Sequence, residues 1–392
     1  MTHSYDVLII GGGASGSYCA IHAAARGLRV CLLEHNRDIG AKIRVSGGGR
    51  CNYTNLHLSA EAYHGHNPAF VRSALARHDQ WQVLDWFAAR GITAAEKHQG
   101  QIFAAERARG ILTALHDSLT ASGVHLHHHI AIHSQHYDGD CYRVETSHGD
   151  FRAPQLVIAC GGPSYPKLGA SDYALRVTKQ YGIRNYPFRP ALVPLTLATP
   201  PVGLVGISHE VSITTAGAPS FRDDLLYTHR GISGPAVLQI SGYRQKDAPI
   251  VINHLPDLPA DYLMAEKRAH PQHSLAHALR PHLPKAVADH FAAAHGNRDL
   301  HAYSDAALRD IMHGLQHQAV AISGSEGMGK AEVSSGGVDT REIDPKTFAV
   351  KKQPGLFIIG EALDVTGWLG GYNLQWAWSS GWCCAQHLGD GA

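Results

Sequence analysis

Gly11, Gly13 and Gly16 follow the apolar run Val7-Leu8-Ile9-Ile10 in a G-x-G-x-x-G arrangement, and Glu34 closes the next apolar run. Those residue types at that spacing bind dinucleotides. The first glycine permits a tight turn, the second lets a diphosphate approach the backbone, and the third lets a helix pack on a strand. Ala14 and Ser15 open that helix, whose free N–H groups and partial positive charge suit an anion. Glu34 can accept from both hydroxyls of a ribose. The plainer alternative is a glycine-rich turn without a ligand, and the order strand, turn, helix, strand, acid argues against it.

Three more stretches carry chemistry. Ser46-Gly47-Gly48-Gly49-Arg50-Cys51-Asn52 keeps three successive glycines despite their entropy cost, which implies close backbone approach to something flat or charged. Arg50 and Asn52 are its candidate donors. Cys160-Gly161-Gly162 ends an apolar run in the manner of turns that pass a nucleotide between domains. At the far end Leu356-Phe357-Ile358-Ile359 leads into Gly360-Glu361 and Asp364, and Gly370-Gly371 starts a helix through Tyr372, Asn373 and Leu374. A glycine turn at one terminus and a glycine-started helix at the other are typical of enzymes whose FAD crosses the sheet. Helix N–H groups there would stabilise negative charge on a reduced ring. Trp376 and Trp378 behind them read as core.

The elements that must hold these residues follow from periodicity. Residues 5–10, 14–26 and 28–33 form a strand–helix–strand unit. Helices are expected from Asn67-Pro68, around Trp81 to Phe87, and over Arg107 to Ala121. A meander is expected at 124–132, 141–146 and 151–153. The stretch 191–255 reads as short strands and 259–317 as mostly helical. The expected organisation is α/β: a Rossmann-type nucleotide-binding domain, 1–190 and 335–392, interrupted by an inserted substrate or cap domain, 191–334, with a helical part at about 256–318.

Composition narrows the class. At 392 residues two domains are expected, and 44% hydrophobic against 17% charged residues fits a globular chain. Lys+Arg 34 against Asp+Glu 33 gives a net charge of +1, so charge alone gives no reason to expect nucleic acid or an anionic membrane as partner. No apolar run is long enough to span a membrane. Seven irregularly spaced cysteines and the immediate entry into the first strand point to the cytoplasm. Gly324-Ser325-Glu326-Gly327-Met328-Gly329-Lys330 resembles a triphosphate loop, but Ala331 replaces the hydroxyl that would hold Mg²⁺. His125, His127 and His129 would share one strand face, yet no acid or cysteine accompanies them, so no metal is expected. Adjacent Cys383 and Cys384 are poorly placed for a working disulfide.

Four segments together match one family: 46–52, Gly161-Gly162-Pro163-Ser164-Tyr165-Pro166, Thr228-His229-Arg230-Gly231-Ile232-Ser233-Gly234-Pro235-Ala236, and Gly370 to Ala377. The chain resembles the BaiN-like bacterial flavoproteins over nearly its whole length. The resemblance implies FAD, and an insert that combines a β-barrel with a helical subdomain. It adds Ile130 to the cofactor contacts. Gln101 and Ala104 stand where arginine and proline are expected, and Cys160 where threonine is usual.

The chemistry implied is hydride transfer through flavin N5, from NAD(P)H to a small organic acceptor. No second complete glycine fingerprint serves the nicotinamide cofactor, so it would bind transiently or not at all. Candidate pocket groups are Arg50, Cys51, Tyr165, His229, Arg230 and Tyr372, with tyrosine or histidine protonating the carbanion left by hydride addition to an activated alkene. Two alternatives stand beside this: an amine-type oxidase that passes electrons to O₂ and releases peroxide, and a non-catalytic flavin-bearing binding protein. The oligomeric state is not legible in the sequence.

Overall fold

The computed structural model describes residues 2–244 and 248–390. The chain divides into two compact units, one of Met1–Pro190 with Glu332–Ala392 and one of Ala191–Ala331.

The first unit is built on a five-stranded sheet. Val7–Ile10 lies at its centre, between Gln155–Ile158 and Val30–Leu33, with Leu356–Ile358 and His125–His127 as the edges. Every pairing is parallel. Such a sheet is covered on both faces, which is why its strands are unbroken apolar runs; all four residues of Val7–Ile10 and of Val30–Leu33 are buried. Helix Ala14–Ala24 packs against the C-terminal helix Tyr372–Ala385 so tightly that a Cβ on Gly381 would lie 2.6 Å from the Ser15 carbonyl oxygen. The two chain ends thus meet through glycine.

Two expectations need correction. The stretch 124–132 is not one meander strand: His125–His127 joins the main sheet beside Val30–Leu33, and a separate strand, Ile132–Tyr137, enters the meander with Tyr142–Thr146 and Gly149–Ala153. Alternating polarity identifies a strand but not the sheet that it joins. His129, left-handed at φ +55°, lies outside that strand and does not share a face with His125 and His127. The glycine-rich stretch 46–52 is part helix. Helix Ala41–Gly49 runs into it, with non-helical backbone at Ser46, Gly47 and Gly48, before strand Asn52–Asn55 begins.

The second unit holds a curled seven-stranded antiparallel sheet, whose edges are Gln318–Val320 and Gly324–Ser325. Helices Tyr262–Ala269, Leu275–Leu279, Lys285–Ala294 and Asp305–Gln316 make its helical part. No helix follows Lys330; strand Val333–Val338 does, unlike a triphosphate loop. Among the described residues no helix is long and apolar enough to cross a membrane, and no group of three or more His, Cys, Asp or Glu is placed to hold a metal.

Candidate functional site

The first turn shows three distinct uses of glycine. Gly11 has φ +110°, and a Cβ there would lie 2.7 Å from the Ala159 carbonyl oxygen. A Cβ on Gly16 would come within 1.9 Å of the Gly11 oxygen, so helix and turn touch backbone to backbone. Gly13 differs: its φ is −74°, and a Cβ there would meet nothing within 4 Å. Open space therefore lies before a helix with no acidic residue in its first turn and no side-chain cap. A diphosphate fits that cradle. Ser15, buried, lies beneath Gly360, where a Cβ would be 2.5 Å from the Ser15 hydroxyl.

Glu34 is buried at the tip of its strand, where it accepts from the Gly12 and Asn36 N–H groups, each at 2.7 Å. Burial alone would raise its pKa; the His35 ring, with those two N–H groups, holds it below the ordinary carboxylate value. It therefore stays an acceptor at neutral pH, with Ile130 alongside donating its N–H to the Glu34 carbonyl oxygen at 3.0 Å.

The glycine-rich turn and the C-terminal helix start are in contact. A Cβ on Gly371 would lie 2.3 Å from the Thr54 carbonyl oxygen and 2.7 Å from Asn52 Oδ1, and one on Gly370 would lie 3.2 Å from Gln101. Gly47, Gly48 and Gly49 all have positive φ, and space above Gly48 is open. The Ser46 hydroxyl donates to the Ile43 carbonyl oxygen, and the side-chain amides of Asn52 and Gln101 pair at 3.2 Å. Asn373 spends its side chain on the Gly367 N–H and carbonyl oxygen, which fixes the approach to the helix. Leu374, partly exposed, completes its first turn.

A third cluster joins the other two turns. Lys42 Nζ donates to Glu361 Oε2 at 2.7 Å, to the Ser164 hydroxyl at 2.7 Å and to the Gly162 carbonyl oxygen at 2.9 Å. Glu361 also accepts from the Ser334 N–H. Burial alone would raise the Glu361 carboxyl, and the Lys42 ammonium brings it below its ordinary value. Gly161, at φ +67°, has Glu361 Oε2 3.3 Å from where its Cβ would be, and Cys160 is half-buried just before it. Asp364 is buried and receives both the N–H and Nδ1 of His66, each at 2.8 Å. Sequence reading missed Lys42 and His66. Neither sits in a motif, and their carboxylate partners lie some three hundred residues away.

The catalytic candidates separate. Cys51 is fully enclosed and burial pushes its thiol up to about 12, so its side chain reaches no ligand. Tyr372 is buried too, and its hydroxyl donates to the His57 carbonyl oxygen. Tyr165 is half-buried in a left-handed turn at φ +58°, with no hydrogen-bond partner for its hydroxyl among the described residues. Burial, then the nearby Glu332 charge, raises its pKa. Arg50 is exposed, its Nε donating to the Gly47 carbonyl oxygen. His229 and Arg230 belong to the second unit, as the exposed two-residue turn between Phe221–Thr228 and Gly231–Ser233.

The model of the family described as "HI0933-like protein Rossmann domain" matches residues 5–387. The ribosomal RNA dihydrouridine synthase of Escherichia coli (strain K12) is 41% identical over 392 residues, covering 98% of each chain. Its namesake in Haemophilus influenzae is 37% identical, again over 98% of each. The 3-dehydro-bile acid delta(4,6)-reductase of Clostridium scindens is 30% identical over 95% of this chain and 96% of its own. Among solved structures, the 3-ketosteroid-delta4-(5alpha)-dehydrogenase of Rhodococcus jostii RHA1 aligns with a TM-score of 0.51 at 13% identity, covering 98% of this chain and 97% of the other. A quinol-fumarate reductase aligns at 0.52 and 13%, covering 99% and 71%. At such identity the likeness concerns the fold alone. The chain belongs to the HI0933-like Rossmann flavoprotein family and is an FAD-dependent oxidoreductase.

Proposed function

We propose that this protein reduces uridine in ribosomal RNA to dihydrouridine, with NAD(P)H as the source of electrons. The observation that carries the reading is the similarity to two ribosomal RNA dihydrouridine synthases over 98% of every chain concerned. The bile acid reductase, by its name, also reduces carbon–carbon double bonds in an oxidised ring compound. Uracil offers the same kind of target, a C5=C6 bond polarised by the C4 carbonyl. FAD, when bound, supplies hydride from N5, and the balance is one uridine, one NAD(P)H and one proton to one dihydrouridine and NAD(P)⁺.

The chain's own residues have separable tasks. Gly13 and the start of helix Ala14–Ala24 would take the diphosphate, and Glu34 the ribose. The free N–H groups at Tyr372, Asn373 and Leu374 would stabilise negative charge beside the ring. Tyr165 is the proton donor we assign to C5, because it follows the Gly161-Gly162 turn and its half-buried hydroxyl has no hydrogen-bond partner among the described residues. Tyr372 drops out of that role for the reasons of burial and hydrogen bonding given above.

This reading departs from the expectation that net charge set for nucleic acid. A net charge of +1 is a chain-wide average and says nothing of one face. The test is direct. FAD-loaded protein is incubated with NADH or NADPH and ribosomal RNA transcribed in vitro, and digested nucleosides are weighed. A uridine two hydrogens heavier supports the proposal. Oxidation of NAD(P)H by steroid enones with untouched RNA would point to a small-molecule reductase. Peroxide released with amines, and no response to NAD(P)H, would point to an oxidase.

A further inference from the structure

We propose that Lys97 and Arg50 form a phosphate clamp for the RNA backbone, set around Phe103 beside the glycine-rich turn. The inference rests on RNA being the substrate, and it assigns to this chain where that RNA is held.

The three-stranded sheet ordered Asn52–Asn55, Gln101–Ala104, Ala94–Glu96 makes the platform. Phe103 sits on its central strand, opposite Asn52 on one side and Ala95 on the other. Arg50 enters from just before the first edge strand and Lys97 from just after the second. Lys97 Nζ lies 4.6 Å from the Phe103 ring centroid, and Arg50 Cζ lies 5.6 Å from the same centroid. Both cations therefore converge on one ring from opposite edges of the sheet.

The clamp is fixed at its base, and no carboxylate neutralises its two cations. The Lys97 N–H donates to the Gln101 carbonyl oxygen at 2.9 Å, closing the hairpin that carries it. Phe103 itself is buried, and a Cβ on Gly47 would lie 2.9 Å from its ring. The ring thereby ties both cations to the glycine-rich turn. Lys97 and Arg50 are exposed, and neither has a carboxylate within ion-pair distance among the described residues. Arg44, in the helix that leads into that turn, contrasts: it is paired with Asp38 at 3.5 Å.

Two cations without carboxylate partners, facing one ring beside a glycine turn with open space above Gly48, suit an anion larger than a single ion. Gly13 and the uncapped start of helix Ala14–Ala24 offer the FAD diphosphate a separate cradle. A cation that meets a phosphate releases condensed counterions, which makes its contribution measurable through salt. On a single strand each such contact changes the slope of log K against log salt by about 0.7.

The measurement is binding of wild-type and Lys97→Gln holoenzyme to ribosomal RNA transcribed in vitro, across a range of KCl. Lys97→Gln should lower the slope by about 0.7 and weaken binding about fourfold near 0.15 M salt. Lys97→Arg should restore both. Flavin content and the KM for NAD(P)H should stay at wild-type values, because Lys97 is exposed and outside the cofactor cradle. An unchanged slope in Lys97→Gln overturns the clamp. So does a raised KM for NAD(P)H with RNA binding intact, which would give the cations to the nicotinamide cofactor's phosphates. Wild-type protein that reduces no ribosomal uridine removes the proposed function and this clamp together. Wild-type reduction with an unaltered Lys97→Gln slope removes the clamp alone.

Discussion

At the scale of single residues, space separates the glycines of the first turn more sharply than sequence does. Gly16→Ala would drive a Cβ into the Gly11 carbonyl oxygen and should prevent a stable fold. Gly13→Ala should do the opposite to the empty protein. Its φ of −74° is one alanine adopts, and the freedom it removes from the unfolded chain should add about 0.4–1 kcal/mol. The same methyl would occupy the cradle, so FAD affinity should fall by about tenfold or more, a loss of at least ~1.4 kcal/mol of binding. Thermal melts of the apoprotein and FAD titration read the two effects separately. A Gly13→Ala protein that keeps its FAD affinity would move the diphosphate elsewhere. Tyr165→Phe gives the matching test of chemistry: reduction of the RNA should drop by about 10²-fold or more, with FAD retained.

At the scale of elements, the helix pair at the chain ends decides whether the site exists. Gly381→Ala would place a methyl 2.6 Å from the Ser15 oxygen and separate Ala14–Ala24 from Tyr372–Ala385. Overpacking of this kind costs about 2 kcal/mol. Because it displaces the N-termini of both helices, FAD occupancy after purification should fall along with the urea midpoint. The first strand–turn–helix was legible in the sequence because its constraints are local: an apolar run, then glycines at set offsets. Arg107–Ala121 was legible for the same reason, through its 3.6-residue period. What could not be read was pairing at a distance. His125–His127 carries the same alternation as a meander strand, and only the sheet shows which neighbour it takes. Lys42 is a lone lysine until Glu361 and Ser164 close around it. The enclosure of Cys51 was hidden too, since a cysteine beside an exposed arginine gives no sign of its own burial.

At the scale of the whole molecule, acid should undo the protein through histidines buried neutral. His78 is almost fully enclosed, its Nε2 facing the Tyr18 hydroxyl at 3.0 Å and its ring stacked on Trp382. Burial, helped by His22 nearby, pulls its pKa down to about 3. In the second unit His254 is pulled to about 4 by burial, with His209 Nε2 at 3.0 Å from its Nδ1. Both folded values lie below the ordinary 6.5, so below that pH the unfolded chain binds more protons than the folded one. Stability is full above about pH 6.5 and falls as pH drops toward 4, by about 1.4 kcal/mol per pH unit for each such histidine. His78 carries this effect to the flavin side, because its carbonyl oxygen accepts from Gln375 and Ser379 of the C-terminal helix. All six tryptophans lie in the first unit, so their fluorescence reports its unfolding. Urea midpoints followed by that signal should fall between pH 6.5 and 4.5, with FAD released over the same range. His78→Phe keeps the stack on Trp382 but has no proton to gain, so its profile should be shallower by one histidine's share. A profile as steep as the wild type's would assign the acid sensitivity to other groups, His22 first among them.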